Sequence, residues 1–345
     1  MKKYATIAVL LAIVSIQYAQ AAEVPFVDLK GHTGVVWHAC FSPDGKKVIT
    51  GCVGYPSPTA ESARIWDAKS GKELQKFEGV SDASFSPDGK KIAIEEDRHI
   101  RIRDAESGKE LQKLKEYSLI FLPDNERIAT TGWDRIIRIW NIESGNVLQT
   151  FKFHGNSPVL SLDGKKIATW PNDSTLCVWD VESGAELLKL RAMWSSFSPD
   201  GRKIAATDYD GRHFMSSVTE PYQTTLRIWD IESGRELHKL EGTWGLFSPD
   251  GKKIATTGVD GTNCVKIWDV ESGRELHKLR GNWFHVFSTD GKIVTSDGGT
   301  IRIWDVVSGK ELQTLQGHPL ALSPDGKKLV TGHGANGTAR IWTLE

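Results

Sequence analysis

The sequence predicts an all-β fold of eight four-stranded antiparallel blades set around one axis, and three observations predict it. First, a Trp-Asp-like pair recurs eight times, at Trp66-Asp67, Arg103-Asp104, Trp140-Asn141, Trp179-Asp180, Trp229-Asp230, Trp268-Asp269, Trp304-Asp305 and Trp342-Thr343. Successive pairs lie 37, 37, 39, 50, 39, 36 and 38 residues apart, close to the period of about 40 to 45 residues for one four-stranded propeller blade. Second, Ser-Pro-Asp-Gly recurs in phase at 42–45, 86–89, 198–201, 248–251 and 323–326, with degenerate copies at 122–125, 161–164 and 288–291. Third, a Ser-Gly turn follows seven of the pairs, starting at Ser70, Ser107, Ser144, Ser183, Ser233, Ser272 and Ser308, and the eighth pair runs into the chain end.

One unit shows the elements in order. Around Trp244 to Phe247 an apolar run forms the first strand, and Pro249, Asp250 and Gly251 then supply a preset φ, a local acceptor and a positive φ for a tight turn. Residues 253–257 alternate as a second strand, Asp260-Gly261 marks a turn, and 264–268 is a third strand rich in strand-preferring residues. Ser272-Gly273 turns the chain again. The fourth strand, 275–279, alternates charged or polar residues with Leu, as an outer strand that must resist pairing with other sheets requires.

The eighth unit has no fourth strand of its own, whereas the segment 24–30, VPFVDLK, has no unit of its own. It runs into Gly31-His32 as 312–316 runs into Gly317-His318. The expectation is that it completes the last blade and closes the ring, leaving no unpaired edge there.

Residues 1–21 read as a secretory signal peptide: Lys2 and Lys3, an apolar run from Ala5 to Ile16, then Ala19-Gln20-Ala21 as a small-x-small cleavage pattern. That run is shorter than the about 20 residues a membrane helix needs, so the expectation is a periplasmic or secreted protein with no membrane span, its 22–345 forming one domain. The remaining chain carries 41 basic and 44 acidic residues, a formal charge of about −3. With Lys, Arg and Glu interleaved, it offers no clustered basic surface for nucleic acid. Cys40 and Cys52 fall out of register on neighbouring strands, and Cys177 and Cys264 belong to different units, so all four are expected as free, buried thiols.

Together the phased GH, SPDG, IWD and SG elements resemble the WD-repeat β-propeller family over residues 24–345. The resemblance implies a structural hydrogen-bonded set of a GH histidine, a strand Ser or Thr, the blade Trp and a turn Asp. Here it is mostly broken, because GH survives only at His32 and His318. It also implies that the crossovers between blades and the loops joining second to third strands share one face, the top. Crossovers are trimmed, with 12 residues from Leu29 to Phe41 but seven from Leu190 to Phe197, and blade 5 carries an insertion at 208–224.

The blade tryptophans Trp66, Trp140, Trp179, Trp229, Trp268, Trp304 and Trp342 read as inter-blade packing, with His32 and His318 as structural partners. Trp194, Trp244 and Trp283 recur three or four residues before the first-strand Phe and read as packing near the channel. His238 and His277 repeat at one outer-strand position and read as solvated. No convergent ligand set points to a metal, Asp208 to Gly211 lacks the later acid of a calcium loop, and no cofactor motif is present. Neither GxSxG nor HExxH occurs, which argues against an enzyme.

What remains for binding is the top face: Tyr209, Arg212, His213, Phe214, Met215 and Tyr222 of the blade-5 insertion, with Tyr55, Trp133 and Trp170 on loops of the same class. These are the residue types enriched at interface centres. The predicted function is a non-enzymatic exported scaffold that binds a protein partner through this face, with envelope assembly as the setting. The alternative is a glycan or small-molecule receptor using the same aromatics, with a propeller enzyme third.

Overall fold

A computed structural model describes residues 24–53, 62–96, 99–116, 118–152, 158–172, 175–208, 225–258, 263–333 and 337–344. They form thirty-one strands, ordered as six four-stranded antiparallel sheets and one of seven strands. The seven-stranded sheet is two blades joined, because the outer strand of blade 4 and the inner strand of blade 5 are one continuous strand, Glu186–Phe197. The trimmed crossover at 190–197 is thus no loop at all, and the count is eight blades. Among the described residues no helix is long and apolar enough to cross a membrane.

Closure follows the expected strand exchange. Phe26–Lys30 pairs antiparallel with Thr338–Thr343, Phe26 opposite Trp342 and Lys30 opposite Thr338, so the first strand of the chain is the outer strand of blade 8. Leu29 within it is fully buried beside Val330, Ala339 and Ile341.

Second strands are the most buried elements, as in Ile254, Ala255, Thr256 and Thr257 of blade 6, because each is flanked by two strands and covered by two neighbouring blades. Fourth strands are exposed except for one residue near their end, such as Leu279 or Leu315. The core accordingly divides into clusters that each bridge two blades, for example Ala255, Val265, Ile267 and Leu279 of blade 6 with Phe287, Ile293 and Trp304 of blade 7.

The two turn signatures have separate physical jobs. In the first-to-second turn of blade 1, Ser42 donates to Asp44 at 2.6 Å, Lys47 N donates back to Ser42 at 2.9 Å, and Gly45 adopts φ +67°. Asn125 takes that left-handed place in the degenerate copy at φ 63°, a conformation Asn tolerates. In the third-to-fourth turn the Asp of each Trp-Asp pair is a cap: Asp67 accepts from Ser70 N at 2.7 Å and from Ser70 Oγ at 2.6 Å. These bonds hold Asp67 below the ordinary carboxylate range.

The Trp of the pair has its own partner. Trp66, Trp140, Trp179, Trp268, Trp304 and Trp342 each donate Nε1–H to the second-strand Thr50, Thr130, Thr169, Thr256, Thr295 and Thr331, at 2.7–2.9 Å. In blade 2, where Arg103 replaces the Trp, Ile94 stands at the Thr position and is buried; a hydroxyl without its donor there would be a buried polar group short of a partner. Blade 5 keeps Trp229 but has Ala206 at the Thr position.

Histidines depart from expectation. His32 does complete a set, with Nε2 2.6 Å from Thr50 Oγ1 and Nδ1 3.1 Å from Ser62 Oγ, Ser62 taking the place of the absent turn Asp. His318 does not: it is exposed, paired opposite Gly332, and Thr331 instead meets His333 Nε2 at 2.9 Å. The reason is reach, since His333 lies on the same strand two residues beyond Thr331. In blades 6 and 7, which lack the His, Thr256 and Thr295 donate to the Glu241 and Arg280 carbonyls at 3.0 and 2.9 Å. His238 and His277 are half-buried clasps, their Nε2 donating at 3.0 Å to the Glu271 and Val307 carbonyls of the following blade.

Candidate functional site

Every first strand starts at the crossover rim and ends at its Ser-Pro-Asp-Gly-type turn, so residues early in the first strands ring the channel mouth at that rim. Register defines the level. The second-strand position after the recurrent Thr site is Gly51, Thr207, Thr257, Ser296 and Gly332 in blades 1, 5, 6, 7 and 8, and it pairs with His38, Trp194, Thr243, Trp283 and His318 respectively. Trp37 and Trp244 are the bulged residues next to His38 and Thr243. One side of the mouth is therefore aromatic and imidazole. On the other side, blades 2 and 3 place Asp82 and Ser118 at the same level, opposite Glu95 and Thr131.

Trp194, Trp244 and Trp283 form a continuous arc over blades 5, 6 and 7. Ring centroids are 5.7 Å apart for the first pair, tilted 55°, and 6.1 Å for the second, edge-on at 69°. Trp244 remains 38% and Trp283 53% exposed. The local sequence forces this geometry. A Cβ on Gly245 would meet Leu226 Cδ2 at 2.4 Å, so only glycine lets the strand approach its neighbour. The bulge between Thr243 and Leu246 then puts Trp244 at φ 52°, a left-handed backbone that a bulky residue adopts only under constraint. Thr243 Oγ1 to Thr257 Oγ1, at 2.8 Å, and Ser196 Oγ donating to the Gly245 carbonyl at 2.6 Å fix the strand on both sides.

Imidazoles line the next stretch of the mouth. His285 Nε2 sits 2.7 Å from Ser296 Oγ. His285 is exposed to the channel, yet desolvation by the neighbouring wall, helped by the charge of nearby His318, lowers its pKa to about 4. Trp37 lies against His38 with centroids 5.8 Å apart.

The opposite sector is charged. In blade 3, Arg138 bridges Asp134 and the buried Glu116, whose Oε1 is 3.3 Å away. Burial raises the Glu116 pKa against the pull of Arg138, while Arg138 holds Asp134 low. Trp133 projects from the same turn and is 69% exposed.

Trp170 was expected on a top loop and is instead a strand residue, 2% exposed, within Lys166–Asn172. Its Nε1 donates to the Ala192 carbonyl at 3.0 Å. The inner strand of blade 4 is only Val159–Leu160, and the indole packs with Val178, Ala192 and Ala206 beside it. It is therefore not available to a partner. Tyr55, Tyr209, Arg212, His213, Phe214, Met215 and Tyr222 lie outside the described residues. Trp37, Trp194, Trp244 and Trp283 were not foreseen as a joint surface, although their shared offset from the first-strand Phe was the readable signal. None of the four cysteines forms a disulfide; Cys40 is half-buried and the others are buried. Cys177 stands where other blades carry Arg or Lys, opposite the outer strand, and burial raises its thiol to about 11. Among the described residues no group of three or more His, Cys, Asp or Glu could hold a metal ion.

The WD40 family, described as WD domain, G-beta repeat, matches at residues 24–67, 113–141, 273–305 and 309–343. Among solved structures, the computationally designed Ika8 protein is similar with a TM-score of 0.70 over 92% of this chain and 98% of its own, at 22% identity, a likeness of fold. No curated protein matches the chain. With eight radially arranged four-stranded blades and WD40 repeat matches at four places along it, the chain is a β-propeller that carries WD40-type repeats.

Proposed function

We propose that this propeller is a non-catalytic, exported scaffold that captures a protein partner at its crossover rim, in the periplasm or outside the cell. WD40 propellers commonly mediate protein interactions, and the observation that carries the reading here is the half-exposed arc Trp194–Trp244–Trp283. Trp is the residue most enriched at interface hot spots. Held by a bulge and by strands fixed in a closed ring, the arc loses little freedom on binding, which lowers the ordering cost of association. Trp133, 69% exposed in blade 3, adds an aromatic to the opposite sector of the ring.

The export reading rests on residues 1–21, and the protein-binding reading on the arc. The test is titration of the purified chain against a partner isolated with it from its native envelope, using Trp244→Ala, Trp283→Ala and a 209–224 deletion. Loss of binding by tenfold or more in the Trp variants is expected. Unchanged affinity in all three would overturn the proposal. Saturable binding of an oligosaccharide that depends on the same tryptophans would favour the glycan-receptor reading instead.

A further inference from the structure

Below the aromatic mouth, the channel wall changes character around the ring. At blades 7, 8 and 1 it forms a cavity of about 390 Å³ open to the channel, lined by Ala39, Phe41, His285, Val286, Leu320 and Ala321 among others, with no Lys, Arg, Asp or Glu in the lining. Blade 8 supplies the inner strand His318–Leu322, of which Pro319 to Leu322 are apolar yet only half-buried along their length. Across the channel, between blades 2 and 3, the recess is about 50 Å³ and is lined by Ala83, Ser84, Glu95, Ile100, Ser118 and Leu119 among others. The larger recess, on blades 7, 8 and 1, thus has no charged group in its lining, whereas the smaller one has Glu95.

We propose that the cavity on blades 7, 8 and 1 binds a neutral, mostly hydrocarbon ligand that enters past Trp37 and Trp283. Its volume falls within the roughly 300–1,000 Å³ of small-molecule sites, which are mostly apolar with a few polar groups. The lone imidazole fits that pattern: His285 is already engaged by Ser296 and, with its lowered pKa, is uncharged at neutral pH. A charged ligand would leave water for a wall with no counter-charge, a large cost. A hydrocarbon chain meets apolar surface that otherwise faces solvent. Trp37 and Trp283 precede the lining residues on the same strands, so the mouth continues the apolar path inward.

The probe is 1-decanol, titrated calorimetrically into the purified chain, with 1-hexanol and 1-octanol as shorter homologues and decanoate as the charged counterpart. One decanol per chain is expected, with affinity rising up to about fourfold per added methylene and decanoate weaker by tenfold or more. Ala321→Phe fills the cavity and should weaken decanol at least tenfold. Val286→Thr keeps the volume, adds a hydroxyl and should weaken it severalfold. Absence of saturable binding, equal affinity for decanol and decanoate, or indifference to both substitutions in folded protein would overturn the proposal. The unsubstituted chain alone separates alcohol from carboxylate, so a variant that fails to fold does not remove the test. Partner capture at Trp244 and Trp283 is a separate reading, and either result can stand without the other.

Discussion

Arg340 and Asp28, at opposite ends of the chain, form the ion pair that fastens the ring: Arg340 Nε donates to Asp28 Oδ1 at 2.7 Å, and the guanidinium lies 3.6 Å from the Phe26 ring centroid. In blades 1, 2, 5 and 7 the equivalent third-strand Arg pairs with a Glu of its own fourth strand, as Arg227 does with Glu236 at 2.6 Å. Blade 8 makes its cross-strand ion pair instead with a residue from the first strand of the chain, directly opposite Arg340 in register.

Both partners of this pair are mostly shielded, so Arg340→Met should lower stability by about 1–3 kcal/mol, combining a lost charge-assisted bond with lost stacking on Phe26. Chemical denaturation checks it. The hydrogen bond from Arg340 is the main cause that holds Asp28 below the usual Asp value. A depressed carboxylate stabilises the fold above its unfolded pKa, and that contribution disappears as pH falls through the folded value. The deficit of Asp28→Asn should therefore be full at neutral pH and vanish in acid.

Deleting residues 24–30 should do more than lower stability. It leaves the third strand of blade 8, Thr338–Thr343, as an open edge in the ring, and open edges recruit other chains. Concentration-dependent association, measured by light scattering, is the expected outcome; a monodisperse monomer would count against closure as the protective device.

The Trp–Thr bond can be tested in both directions. Thr256→Val leaves the Trp268 N–H and the Glu241 carbonyl without their partner and should cost about 2 kcal/mol. Ala206→Thr supplies blade 5 with the hydroxyl that Trp229 lacks and should add about 0.5–1.5 kcal/mol. Opposite shifts in the thermal midpoint of the two variants are the readout.

His32 should make stability sensitive to mild acid. Burial, reinforced by Arg64 and Lys76, lowers its pKa from 6.5 to about 4. Between those values the unfolded chain binds the proton and the folded chain does not, so stability is full above about pH 6.5 and declines as pH falls toward 4, by on the order of 3 kcal/mol at most. His32→Gln should flatten that part of the stability curve relative to the unsubstituted protein; an unchanged slope would assign the effect elsewhere.

Trp283→Ala separates binding from packing. A core Trp costs about 3–5 kcal/mol on truncation, but Trp283 is half-exposed, so a loss near 1 kcal/mol together with weakened partner binding is expected. Trp66→Ala, fully buried and bonded to Thr50, is the contrasting case and should show the core-sized loss.

Periodicity alone determined most of the fold. The phased Trp-Asp and Ser-Pro-Asp-Gly elements specify turns and strands through bonds made within a few residues, such as Ser42 to Asp44 and Ser70 to Asp67, so blade count, strand order and the closing strand were legible along the chain. The deviations were not, because each depends on a neighbour distant in sequence. Trp170 is buried because the inner strand of blade 4 is short beside it, and His333 reaches Thr331 where His318 cannot. Tertiary structure likewise decided the candidate site. Trp194, Trp244 and Trp283 lie about 40 to 50 residues apart, and only the radial stacking of blades brings their rings to within about 6 Å. A local turn is written in adjacent residues, whereas a surface shared by several blades exists only once the ring has closed.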